Sequence, residues 1–327
     1  MRVLLVRTDR IGDLILSTPA IATVRASFPD AHIVMACSSY NAIVMQRNTD
    51  VDEVVEYRDG IHPKEFGGQF RGADLAVALA PRSVDLQIAG ASRAKIRVGY
   101  TYVRRWLARL TLPAYVNRRM ISEADPALSE KNPHRHVRHE VNQLLDLVAL
   151  GGAKDRREAL RLDVTDEDRA AIAFLPSRPL VVHLGLRWFS EGSTLDSTLQ
   201  LLNMLRRFEL PIVVTYAPEC ERYVRAFSDT RAADVLLGGL PFHRWAAVFE
   251  RARAVVTVDT GATHVASAMR RPTVVVFEHR YFRLNSQEWA PYGVPCALVR
   301  KPAGESPAEL AALRQEIVDS VSRLIDA

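Results

Sequence analysis

Val255-Val-Thr-Val-Asp-Thr-Gly-Ala-Thr-His264 passes from a β-branched apolar run directly into a helix-forming stretch. Four buried-strand residues, a polar turn and a helix start within ten positions are the signature of one βα unit, with Asp259, Thr260 and Gly261 at the turn. The same alternation extends to either side. Strands are expected at Leu180–Leu184, Ile212–Thr215 and Thr273–Phe277, and helices at Leu195–Arg207, Glu219–Phe227, Arg244–Ala252 and Ala262–Met269. The first half repeats the pattern, with strands at Val3–Val6, His32–Ala36, Val54–Tyr57, Leu75–Leu79 and Arg97–Tyr100 and helices at Ile15–Ser27, Tyr40–Gln46 and Glu140–Leu150. Alternation of this kind predicts an α/β protein of two Rossmann-like halves, each a parallel sheet covered by helices on both faces. The polar stretch 153–178, ending Pro176-Ser-Arg-Pro179, reads as the linker, and Pro307–Ile325 as a last amphipathic helix. Ligands of such sheets bind in a cleft at the carboxyl ends of the strands.

The 327 residues are 48% apolar and 25% charged, which excludes a disordered or collagen-like chain. No apolar run approaches the ~20 residues of a membrane span, and Asp9, Arg10 and Asp13 interrupt the opening stretch too early for a signal peptide. A cytoplasmic protein is expected. Cys37, Cys220 and Cys296 lie far apart, which suggests neither a disulfide framework nor a zinc cage. Of 43 basic residues only five are lysine, so tasks done elsewhere by lysine fall here to arginine. The net charge of +5 is uneven: residues 93–139 carry eleven Arg/Lys against Glu123, Asp125 and Glu130, giving +8, and the remainder sums to −3. Such a segment attracts a phosphorylated glycolipid or an anionic membrane surface, unless it is only a solvated arginine-rich face. Nucleic acid is not expected, because no helix-turn-helix, zinc-finger or ribonucleoprotein-type aromatic motif accompanies the charge.

Two turns carry candidate chemistry. The first strand runs into Arg7-Thr-Asp-Arg-Ile-Gly-Asp13, followed by a helix containing Pro19. Asp13 falls in that helix's first turn, where the dipole favours a carboxylate, as a general base at pH 7 requires; a helix cap is the alternative. The spacing is not G-x-G-x-x-G and so not a dinucleotide fingerprint. At the second turn, Gly261 permits close backbone approach, and the Thr260 hydroxyl and helix amides suit a diphosphate. Asp259 would meet sugar hydroxyls and His264 would face the same cleft, the alternative being a capped helix with a core histidine. His134, His136 and His139 share no helix face and are separated by Arg135 and Arg138, so no metal site is expected.

Together the two turns resemble those of the family 9 glycosyltransferases, the heptosyltransferases of lipopolysaccharide core assembly. Arg7, Gly12, Asp13 and Pro19 match the N-terminal signature, and Asp259, Thr260, Gly261 and His264 match D-T-G-x-x-H, with Arg271-Pro272 and a strand following. The likeness extends to Val98-Gly-Tyr100 and Leu150-Gly151-Gly152. It implies a GT-B fold, with an acceptor-binding domain over 1–165, a nucleotide-sugar domain over 166–306, and the helix 307–327 packing back on the first domain. It also implies transfer of a sugar, heptose from ADP-heptose first, to a lipopolysaccharide core or related acceptor, with inversion and with no cofactor or metal required. Asp13 corresponds to the catalytic base. Asp259, Thr260, Gly261 and His264 correspond to donor contacts, Leu240 flanks the adenine, and Glu219 or Glu221 meets the ribose. Arg10, Arg97, Arg104 and Arg105 are the arginines expected to meet an anionic acceptor, with peripheral contact at the inner membrane surface. One departure stands out. The loop His183-Leu-Gly-Leu-Arg-Trp-Phe-Ser-Glu-Gly192 lacks the family's lysine, and Arg187 is its only cation. Arg187 is expected at the diphosphate, though arginine and lysine are not equivalent. Other nucleotide-sugar donors, a protein acceptor, or a non-catalytic sugar or nucleotide binder remain as rival readings.

Overall fold

The computed structural model describes residues 1–124, 136–191, 194–225 and 230–326. The chain divides into two compact units, Met1–Leu162 and Asp163–Ala327. In the first, β1 (Arg2–Arg7), β2 (His32–Ser38), β3 (Glu53–Tyr57), β4 (Leu75–Ala78), β5 (Ile96–Tyr102) and β6 (Arg118–Ser122) pair in the order β3-β2-β1-β4-β5-β6, all parallel. From Val3 onward β1 is buried, as is all of β4, because helices cover both faces; this is why central parallel strands read as unbroken apolar runs. The helices are α1 (Ile11–Ser27), α2 (Pro63–Gly68), α3 (Ser83–Ala91), α4 (Trp106–Tyr115) and α5 (Glu140–Leu150).

α1 is buried on almost every side and packs against α5. Pro19 inside it has no N–H to offer the Ile15 carbonyl. The Thr18 hydroxyl donates to that carbonyl instead, at 2.7 Å, and accepts the Arg161 amide at 2.9 Å. The stretch after Gly152, expected as free linker, is in its first part strapped along α1. Ser27 Oγ accepts the amides of Lys154 and Asp155, Thr23 Oγ1 accepts that of Arg157, and Arg161 pairs with Asp50 at 2.6 Å. Its backbone amides are satisfied by helix hydroxyls, and its polar side chains at 154–158 stay exposed.

In the second unit, β7 (Leu180–Leu184), β8 (Ile212–Tyr216), β9 (Val235–Gly238), β10 (Ala254–Val258), β11 (Thr273–Phe277) and β12 (Cys296–Arg300) pair in the order β12-β11-β10-β7-β8-β9, again all parallel. Its helices are α6 (Asp166–Ala171), α7 (Leu195–Leu205), α8 (Glu221–Arg225), α9 (Phe242–Arg251), α10 (Gly261–Ala268), α11 (Phe282–Glu288) and α12 (Pro307–Ile325). Counted within its own unit, each sheet has the strand order 3-2-1-4-5-6 of a doubly wound fold. The winding therefore reverses between β1 and β4 in one unit, and between β7 and β10 in the other.

The last helix, Pro307–Ile325, lays an apolar stripe on the sheet of its own unit. Its stripe of Leu313, Ile317, Val318, Val321 and Leu324 lies in one core with Val256, Val274, Val276 and Val299 of the second sheet. Arg314 donates to Ser197 Oγ at 2.8 Å, and Arg253 donates to the Ile325 carbonyl. The i, i+4, i+5, i+8 spacing that marks the helix as amphipathic is used up on β10, β11 and β12.

Candidate active site

In the first unit β1 delivers Arg7 to the carboxyl edge at the β1/β4 switch point. Its guanidinium is 2% exposed and fully engaged. Nε donates to Asp9 Oδ1 at 3.0 Å, and Nη1 donates to Ser17 Oγ, the Leu79 carbonyl and Glu140 Oε1 at 3.0, 2.9 and 3.0 Å. Asp13 lies one turn into α1 with Oδ1 3.7 Å from Arg7 Nη2. Across the switch, Asp85 of α3 accepts the Thr8 amide at 2.9 Å and the Thr8 hydroxyl at 3.0 Å. One buried arginine thus balances several carboxylates.

That imbalance sets the state of Asp13. Its pKa is pushed up to about 7, chiefly by burial, with Asp9 and Glu140 adding repulsion and Arg7 opposing. The sequence expectation of a carboxylate held ionised by the helix dipole is thereby revised: a dipole near a helix start is weaker than desolvation in this pocket. A pKa near neutrality is what a general base needs, because it remains basic while still being available. The capping alternative does not describe Asp13, since the N-cap is Arg10 and it makes no side-chain cap bond. Glu140, 1% exposed, is also raised by burial; it accepts from Arg7 and from Tyr100 Oη at 3.0 Å.

In the second unit the candidate donor residues line the carboxyl edge of one sheet. Arg187 follows β7 and reaches across the β7/β10 switch. Its Nη1 donates to the Asp259 carbonyl at 2.8 Å and to Asp259 Oδ2 at 2.5 Å, and Nε stands 3.8 Å from Glu278 Oε2. Asn285 Nδ2 donates to the same Oδ2 at 2.9 Å. Asp259, expected to reach sugar hydroxyls, first of all orients Arg187. Thr260 is the extended N-cap of α10 and makes no side-chain cap bond; its carbonyl accepts the Thr263 amide at 3.1 Å, and a helix start without a side-chain cap suits an anion. Gly261 opens the helix, and His264 is buried one turn on. Leu240 is half-buried between β9 and α9. Glu219 is exposed in the short turn after β8, whereas Glu221 is paired with Arg225 at 2.6 Å.

Lys301, the one lysine of the sequence beyond residue 154 and given no role from the sequence, holds the loop that lacks a lysine. It follows β12, is 2% exposed, and its Nζ donates to the carbonyls of Arg187, Trp188 and Ser190 at 2.6, 3.2 and 2.6 Å. Burial lowers its pKa to about 8. The ammonium staples the Arg187 loop from beneath. The signal was a lone lysine directly after an apolar strand at the carboxyl edge.

Among the described residues the basic segment does not form one patch. Arg97 sits at the amino end of β5, away from the Asp13 edge, with its guanidinium donating to the carbonyls of Tyr115 and Ala94. Arg10 is exposed beside Asp13. Arg104 and Arg105 follow β5 at the carboxyl edge; Arg105 donates to the Pro81 carbonyl at 3.0 Å and lies over the Tyr102 ring. Arg138 is paired with Asp146, and Lys131, His134 and Arg135 lie outside the described residues. His139 caps α5, its Nδ1 accepting the Val141 amide at 3.2 Å, and His136 is exposed.

Residues 199–310 match the model of glycosyltransferase family 9 (heptosyltransferase). No curated protein matches the sequence. Among solved structures the chain is similar to a family 9 glycosyl transferase from Veillonella parvula, at 16% identity and a TM-score of 0.77 over 99% of this chain and 97% of that one. It is similar to the E. coli ADP-heptose LPS heptosyltransferase II at 18% identity and a TM-score of 0.74, covering 99% and 98%. The E. coli heptosyltransferase WaaC with ADP follows at 17% identity and a TM-score of 0.69, covering 98% and 100%. At these identities the structural likeness is one of fold. Residues 199–310, with the Asp259–His264 turn among them, thus resemble a family 9 glycosyltransferase domain, and the chain shares the GT-B fold of the heptosyltransferase structures.

Proposed function

We propose that the chain is an inverting glycosyltransferase that moves heptose from ADP-heptose to a lipopolysaccharide-core or related anionic acceptor. One observation carries the reading: two complementary chemistries occupy the two switch points. A carboxyl poised near pH 7 stands beside β1, and an arginine held by Asp259 stands beside the uncapped start of α10. Asp13 takes the proton of the acceptor hydroxyl as its oxygen attacks the anomeric carbon. The bond from that carbon to the diphosphate breaks on the opposite face, which inverts the configuration. The charge arriving on the diphosphate is met by Arg187 and by the Thr260 and Gly261 amides. His264 supports the turn, Leu240 flanks the base, and Glu219 rather than the engaged Glu221 meets the ribose. Arg10, Arg104 and Arg105 receive the acceptor's phosphates.

Asp13→Asn should abolish transfer while the ADP dissociation constant changes by less than about tenfold, or 1.4 kcal/mol. Near-normal turnover in that variant would sink the base assignment. A second reading, another nucleotide-sugar donor on the same scaffold, draws on the Arg187 loop that lacks the family's lysine. Product mass across a donor panel separates the two.

A further inference from the structure

α4 carries apolar side chains on the face where a surface helix is ordinarily polar. At 100° per residue, Pro113, Trp106, Leu110, Ala114 and Leu107 fall within an arc of about 120°. Trp106, Leu107 and Leu110 are 63%, 60% and 71% exposed. The core is served by the opposite face, where Leu112 is buried and Tyr115 packs against the same cluster. A short helix that is apolar on both faces is suited to lie between a protein and something itself apolar.

The surrounding charge says what that is. Arg104 and Arg105 precede the helix and Arg109 flanks the stripe; all three are exposed. No acidic residue lies between Arg93 and Arg119 in the sequence. A second copy of the chain fits poorly, because like charges would meet around the stripe. Its extent is also small: ten residues make a helix about 15 Å long, far short of the ~800 Å² per partner in a stable interface. Among the described residues no helix is long and apolar enough to cross a membrane.

We propose that α4 lies in the headgroup layer of an anionic lipid bilayer, with Trp106, Leu107 and Leu110 reaching the acyl boundary and the arginines on lipid phosphates. Tryptophan favours that depth, and a short amphipathic helix with cationic flanks is held there by apolar burial plus charge. α4 runs from the carboxyl edge of the first sheet, which holds Asp13, back to its amino edge, so its first turn, with Trp106 and Leu107 and the preceding Arg104 and Arg105, is the part of the docking helix nearest Asp13. The inference deepens the glycolipid reading but does not depend on the reaction.

The test is co-sedimentation of the full chain, without substrates, with phosphatidylcholine vesicles with and without phosphatidylglycerol. The wild type should bind the anionic vesicles, and less at high salt. Trp106→Ser/Leu107→Ser/Leu110→Ser should weaken binding tenfold or more, and Arg109→Glu about fivefold or more. Both variants should keep the wild-type melting temperature and ADP affinity. A triple variant that sediments like wild type would overturn the proposal, as would a wild type that ignores anionic vesicles. A vesicle-free dimer abolished by the triple variant would show a second copy on this face and overturn it equally. Loss of transfer in Asp13→Asn leaves vesicle binding untouched, so the two readings fail separately.

Discussion

Asp13 is a carboxyl whose usefulness and whose cost have one origin. Burial lifts its pKa to about 7, and only the ionised form accepts a proton, so kcat/KM should rise with pH through about 7 and level off above. Glu140 adds to that lift from the far side of Arg7. Glu140→Gln removes the repulsion while keeping an acceptor for Arg7 and Tyr100, and should move the midpoint of the pH profile down by roughly half a unit to one unit. An unmoved midpoint would uncouple Glu140 from the base. The stability sign follows from the same shift. Between the ordinary carboxyl value and about 7 the folded chain binds the Asp13 proton more tightly than the unfolded chain does, so the native state loses stability as pH rises through that window. Asp13→Asn escapes the loss and should be the more stable protein above neutral pH, by about 1 kcal/mol or more, measured as a melting temperature against pH. The position of Asp13 was readable from a strand running into a helix. Its protonation state was not, because Arg7 and Glu140, 133 residues apart in sequence, meet only in the fold.

Among the elements, the strands that could be read are those the sheets bury. β1, β4, β7, β10 and β11 are continuous apolar runs, and β2 is nearly one. β6, β9 and β12 are the strands the sequence does not signal, and all three are sheet edges: β6 is broken by Arg118, Arg119 and Ser122, whereas β9 and β12 are short apolar runs with no alternation to tell them from a loop or a helix turn. Overlooking β12 meant overlooking the purpose of Lys301 at its end. Lys301→Met leaves three buried carbonyls of the Arg187 loop without their donor. It should destabilise the second unit by about 1–3 kcal/mol and weaken ADP binding more than Asp13→Asn does. Calorimetry paired with ADP titration reads both effects, and an unaltered ADP affinity would confine Lys301 to stability. The loop's missing lysine and the lone lysine of the second unit are parts of one arrangement that only the sheet brings together.

Across the whole molecule, charge is where the sequence was most misleading. The +8 of residues 93–139 looks like one patch, yet a strand carries charges at its two ends to opposite edges of the sheet. Arg97 is turned to local carbonyls at the amino edge, while Arg104 and Arg105 stand at the carboxyl edge. Arg104→Glu with Arg105→Glu should therefore raise the acceptor KM several-fold and flatten the salt dependence of kcat/KM, because exposed attractions are screened over about 8–10 Å at ordinary ionic strength. Arg97→Gln should leave the acceptor KM alone. Steady-state kinetics at two salt concentrations distinguish them; equal effects from both changes would restore a single patch.

The placement of α12 has a genetic consequence. Because this helix completes the core of the second unit, that unit is one unbroken stretch of chain from Asp163 onward. Two modules that are not interleaved can be exchanged by a single crossover. Recombination between related genes near codon 163 would then exchange one whole unit and leave the other intact in one event, without passing through a series of point substitutions.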